Sequence, residues 1–145
     1  MCQREHMLGA LSFEQTKIVS KFCRDVLLLD DQTVFVSVIS RHGRQIDSAI
    51  RGASLFSDLP KHELEQVYLQ RMLQTQMIKD FDDKLSKLSV AIIEREFYIE
   101  GIFPFYDGML LVVFNSHTQI LESIKKISKS ISEFNFEIAK SGVTC

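Results

Sequence analysis

The residues best able to do chemistry sit in short polar stretches between apolar ones. At 41–44 the stretch "RHGR" gathers Arg41, His42 and Arg44 around Gly43, a set suited to an anion or a partner's carboxylate. No glycine-rich phosphate cradle follows a strand and no Gly-Lys-Ser/Thr triplet occurs, so the plainer reading is a solvated hairpin turn. "HELEQ" at 62–66 starts like a zinc-binding helix, but Gln66 stands where the second histidine belongs, and without paired imidazoles at i and i+4 there is no chelate. "KDFDD" and "EREFYIE" gather carboxylates. Acid–base work needs two carboxyls in one pocket with separated pKa values. Asp80 and Asp83 share a helix face with Lys79 and Lys84 among them, and Glu94 and Glu96 straddle a turn, so both sets read as solvated. Cys23 lies in an apolar helical stripe, where a thiol packs as a small hydrophobe. Lys125, Lys126 and Lys129 share a helix face without interleaved aromatics, the pattern of a charged outer surface rather than of a nucleic-acid groove. No set of nucleophile, base and electrostatic stabiliser converges, and no motif asks for a metal or cofactor.

Composition narrows the class. A length of 145 residues suits one domain with a sizeable core. A formal charge of −2 argues against a partner recognised mainly through phosphates. Three cysteines cannot close a disulfide set, which favours a reducing, cytoplasmic setting. The opening "MCQREHMLGAL" lacks the apolar run of a signal peptide, and stretches such as "MLLVVF" are too short to span a bilayer.

The positioning elements follow from periodicity. Ser12 and Gln15 form a capping-box pattern ahead of Ile18, Val19, Phe22, Cys23, Val26 and Leu27, a helix with one buried face. "TVFVSVIS" puts Val34, Val36 and Val38 on one face and Phe35 and Ile39 on the other, the pattern of a strand covered on both sides. "QIDSAI" returns through "RHGR" as a more exposed strand suited to a sheet edge. Asp58 as cap and Pro60 in the first turn start a helix whose apolar positions run on to Leu85 without a glycine or proline. The strands "LSVAIIER", "FYIEGIFPF" and "GMLLVVF" come next, then a helix capped by Asn115 or Ser116 and buried through Ile120, Leu121, Ile124, Ile127 and Ile131. The expectation is an α/β (α+β) domain over 12–131, with a five-stranded, mainly antiparallel sheet in the order α-β-β-α-β-β-β-α. Residues 1–11 form an arm and 132–145 a tail.

That order, with the hairpin "FVSVISRHGRQIDSAI", the helix over 60–85 and the meander over 88–114, resembles the roadblock/dynein-light-chain group of the profilin-like class. The chain is also similar to small archaeal single-domain proteins with a "VSV…G…ID" hairpin and a "DF/EFD-K-L" helix end, here "KDFDDKL". The resemblance implies a non-enzymatic adaptor or regulator, a scaffold or small-GTPase-associated module. It implies a homodimer formed through the long helix and an adjoining edge strand. The residues leave two readings open, since a surplus of apolar side chains on this helix marks either a partner surface or a wide core, and the resemblance favours the first. The expected interface is Leu69, Met72, Leu73, Gln76 and Met77, with Arg41, His42 and Arg44 as a further anion or partner contact. The alternative is a PAS-like small-molecule sensor with a pocket lined by Phe97, Ile99, Phe103 and Tyr106.

Overall fold

The structure is a computed structural model that describes Leu8 and residues 11–52, 54–115 and 119–140, the last six by their backbone alone. The elements run α1 (Phe13–Leu28), β1 (Thr33–Ile39), β2 (Gln45–Ile50), α2 (Lys61–Lys79), α3 (Asp82–Leu85), β3 (Ala91–Glu94), β4 (Tyr98–Phe105), β5 (Gly108–Asn115) and α4 (Ile120–Lys140). This is the expected order with the short α3 added. The strands form one antiparallel sheet of five, in the order β2-β1-β5-β4-β3.

Each face of the sheet has its own apolar layer. Under α1 and α4 lie Val36 and Val38 of β1, Ile99, Phe103 and Phe105 of β4, and Leu110, Val112 and Phe114 of β5. Under α2 lie Phe35, Ile39, Ile102, Met109, Leu111 and Val113, with Tyr68 and Met72 pressing on them from the helix. Strand alternation delivers the two sets, since successive side chains point to opposite faces. Val34 leaves the expected pattern. The β1–β5 ladder shifts between Thr33 and Phe35, and Val34 packs with the α2 layer instead of with Val36.

α1 begins on the Ser12–Gln15 capping box, both of its hydrogen bonds being formed. α2 begins differently from expectation. Pro60, not Asp58, is the residue at its cap, and no side chain supplies a capping bond. Nor does α2 run unbroken to Leu85. It ends at Lys79 after 19 residues, about 28 Å. Phe81 leaves helical geometry at φ −102° and ψ 11°, α3 adds one turn, and Ser86 ends it at φ 75°.

The two tight hairpins rest on backbone geometry. Gly43 sits at φ 78° with its amide donating to the Ser40 carbonyl at 2.9 Å. β4 and β5 turn through two residues, with Tyr106 at φ 55°. The Ser116 cap lies outside the described residues. α4 continues past Ile131 to Lys140 and buries Phe134 beside Phe22 and Phe105, so 132–140 is helix rather than tail. Leu8, assigned to the arm, is also in the core.

Candidate interaction surface

α2 has apolar side chains all round, so its seating decides which are left over. Two polar anchors fix that seating. The Tyr68 hydroxyl donates to Gln45 Oε1 at 2.8 Å, and the same oxygen accepts from Ser37 Oγ at 3.2 Å, tying the helix to the β1–β2 hairpin. On the other side the Arg71 guanidinium clasps Glu100 of β4 in two parallel bonds, Nε to Oε1 at 2.8 Å and Nη2 to Oε2 at 3.0 Å. The Glu100 side chain is wholly buried and that of Arg71 nearly so. Arg95 Nε approaches the same carboxylate at 3.7 Å from a half-exposed position. Nearby, burial and then the Glu100 charge push the Tyr98 phenol above its ordinary value.

With about 100° between successive residues, this seating distributes the five expected interface residues unevenly. Met72 points down into the α2 layer at 2% exposure and belongs to the core of the single chain, a correction to the expected set. Leu69 and Gln76 lie on the flank toward the hairpin, where a Cβ on Gly43 would come within 3.0 Å of the Leu69 Cα. Leu73 and Met77 stand on the crest, Met77 at 70% exposure. Ile78 lies on the opposite flank, facing β3.

That flank holds what the sequence reading missed. Ile78, Phe81, Leu85 and Ile92 are all exposed, and they follow Met77 around the C-terminal end of α2, through α3, to β3. Among the described residues β3 pairs only with β4, so it is, with β2, one of the two edge strands of the sheet and has no strand on its outer side. Between it and α2 runs an open groove of about 380 Å³, walled by Met77, Ile78, Ala91 and Ile93 and floored by Thr75 and Ile102.

The other candidate sites do not assemble. Arg41, His42 and Arg44 are exposed on a turn closed by Ser40, with Arg41 Nε donating to His42 Nε2 at 3.3 Å. His62 and Glu65 are exposed, and among the described residues no three His, Cys, Asp or Glu side chains lie together as a metal site would require. Asp82 accepts from the Leu88 amide at 3.1 Å, a structural bond. Cys23 is buried and free, and burial first, then the Asp47 charge, pushes its thiol up to about 12, which makes it a poor nucleophile. The sensor pocket is absent as drawn. Ile99 and Phe103 are packed in the α1–α4 layer, whereas Phe97 is exposed beside the β3–β4 turn. Among the described residues no helix is long and apolar enough to cross a membrane.

Neither a protein-family model nor a curated protein matches the chain. Solved structures do. Myxococcus xanthus MglB is similar with a TM-score of 0.69 at 13% identity, over 91% of this chain and 95% of its own. A Roadblock/LC7 domain from Streptomyces avermitilis gives 0.65 at 6% identity, over 83% and 97%. An MglB with tetrameric arrangement gives 0.61 at 11% identity, over 88% and 93%. The chain therefore has the roadblock fold that its element order resembles.

Proposed function

We propose that this chain is a non-enzymatic protein–protein interaction module that works as a homodimer, an adaptor or regulator in the cytoplasm of the small-GTPase-associated kind that the roadblock resemblance implies. One observation carries the reading: the outer side of an edge strand and a row of exposed apolar side chains meet at the same place, along β3 and the C-terminal half of α2. Either feature alone is a liability in water. An unpaired edge templates unwanted strand addition, and contiguous apolar surface drives association. A second copy laid antiparallel on the first removes both at once, and the contact closes because the pairing is two-fold. The likeness to an MglB with tetrameric arrangement supports self-association of the fold. The buried free Cys23 suits a reducing compartment.

Sedimentation velocity over a concentration series tests the reading. A dimer at tens of micromolar is expected, with the Met77→Glu variant monomeric and still folded. A wild-type chain that stays monomeric throughout removes the self-association claim.

A further inference from the structure

We infer that the Arg71–Glu100 pair selects which face of α2 looks outward while adding little to the stability of the fold, whether or not the chain self-associates. On the interaction reading above, two buried residues then decide which apolar side chains a partner meets.

The helix itself creates the need for such a device. α1 buries a single stripe of Val19, Phe22, Cys23, Val26 and Leu27. α2 has no comparable stripe. At about 100° per residue, Val67, Leu69, Met72, Leu73, Met77 and Ile78 are spread round most of its circumference. A roll toward Leu69 and Leu73, or toward Val67 and Ile78, also sets apolar side chains on the sheet. Apolar burial has no direction of its own, so it discriminates weakly among these seats.

The polar groups discriminate strongly. Ser37, Arg71, Thr75 and Glu100 are buried between this helix and the sheet or on its underside. Tyr68 reaches toward β2, where Gln45 Oε1 accepts from its hydroxyl at 2.8 Å. Arg71, one turn on, reaches toward β4 and donates to Glu100 at 2.8 and 3.0 Å. β2 and β4 lie on opposite sides of the central β1–β5 pair, so the two pins pull opposite ways and a roll in either direction stretches one of them. A roll that withdraws Arg71 leaves the wholly buried Glu100 carboxylate with the half-exposed Arg95 at 3.7 Å. Stranding one member of a buried pair is costly, whereas replacing both by apolar residues is near neutral or stabilising. The pair therefore penalises wrong seats without raising the stability of the right one.

Methionine-methyl NMR with a soluble paramagnetic relaxation agent tests this on the double variant R71L/E100L. Arg71→Leu, rather than Arg71→Met, adds no methionine to the spectrum. Met72 on α2 and Met109 on β5 beneath it are both buried, at 2% and 0% exposure. In the wild type the rolled state should stay below about 1%, because it strands a buried charge. In the variant Met72 should show a second signal with about 10% or more of the intensity, or broaden by exchange. Met109 should remain shielded from the agent, since a rolled helix still covers the sheet, and the urea midpoint should stay close to that of the wild type. A folded variant whose Met72 signal is single, sharp and unshifted overturns the inference, since apolar packing alone then chooses the face. A variant that does not fold, or one in which Met109 becomes accessible, overturns it too, because the pair would then supply stability rather than choice. A monomeric wild type removes the dimer reading and leaves this one standing, because every signal is read within one chain.

Discussion

Removing Arg71 exposes how much the seating of α2 depends on one buried ion pair. Arg71→Met keeps the aliphatic bulk and deletes the guanidinium, leaving the Glu100 carboxylate with no exposure to water. Breaking a buried pair from one side costs about 3–5 kcal/mol, because the surviving charge is desolvated and uncompensated. Arg95 is the available substitute, already 3.7 Å away. Its half-exposed position limits the compensation to about 1 kcal/mol or less. The expected loss is therefore about 3 kcal/mol. Glu100→Leu strands the guanidinium instead, and a long arginine relieves part of that by reaching toward water, so its loss should be about 2–3 kcal/mol. The double variant has no buried charge and should return to within about 1 kcal/mol of wild type or exceed it. Urea unfolding of all four proteins at one protomer concentration closes the cycle, with a coupling of about 3 kcal/mol or more and unchanged m values. Additive losses, or an Arg71→Met variant within about 1 kcal/mol of wild type, would show that the pair does not hold the helix.

Gly43→Val should destabilise by about 2 kcal/mol or more, since it meets both the positive φ and the Leu69 backbone. Alanines at Arg41 and Arg44 should change stability by no more than about 0.5 kcal/mol, and thermal unfolding compares the two sets. Cys23 should resist thiol reagents in the native protein and react on unfolding. Its folded pKa is raised from 9.0 to about 12, so the neutral thiol's contribution is intact below pH 9 and is lost as pH climbs toward 12. Cys23→Ala should flatten that alkaline decline in a pH series of urea midpoints, and an unchanged slope would show that other groups govern it.

The layers of this fold were readable because local pattern agreed with tertiary demand. β5 alternates Met109, Leu111 and Val113 against Leu110, Val112 and Phe114, and each trio found its own helix layer. The hairpin was readable because Gly43 is where the backbone turns left-handed. The break at Asp80–Phe81 was hidden, since neither residue is a helix breaker by type. The interface was only half legible. A helix apolar on every side does not announce its downward face, and Met72 and Leu73 exchange roles according to how Tyr68 and Arg71 are tethered. Glu100 was the real omission. Its partner lies 29 residues away in sequence, and a string of surface-like carboxylates surrounds it. The available signal was its parity: Tyr98, Glu100 and Ile102 share a strand face, so a charge there had to be met by an opposite one.

The strand order also sets a timetable for biosynthesis. β1 is made early, but its central-side neighbour β5 comes near the end, with Val36 waiting for Val112. At about 5–20 residues per second that interval is on the order of seconds. Until then the β1–β2 hairpin presents an open inner edge with Phe35, Val36, Val38 and Ile39 on its two faces, the kind of segment that captures a neighbouring nascent chain. The β3–β4–β5 meander closes locally and quickly, so docking it onto β1 is the long loop closure that should limit the folding rate. Chaperone dependence in the cell should follow occupancy of that one seam rather than the stability of the finished domain.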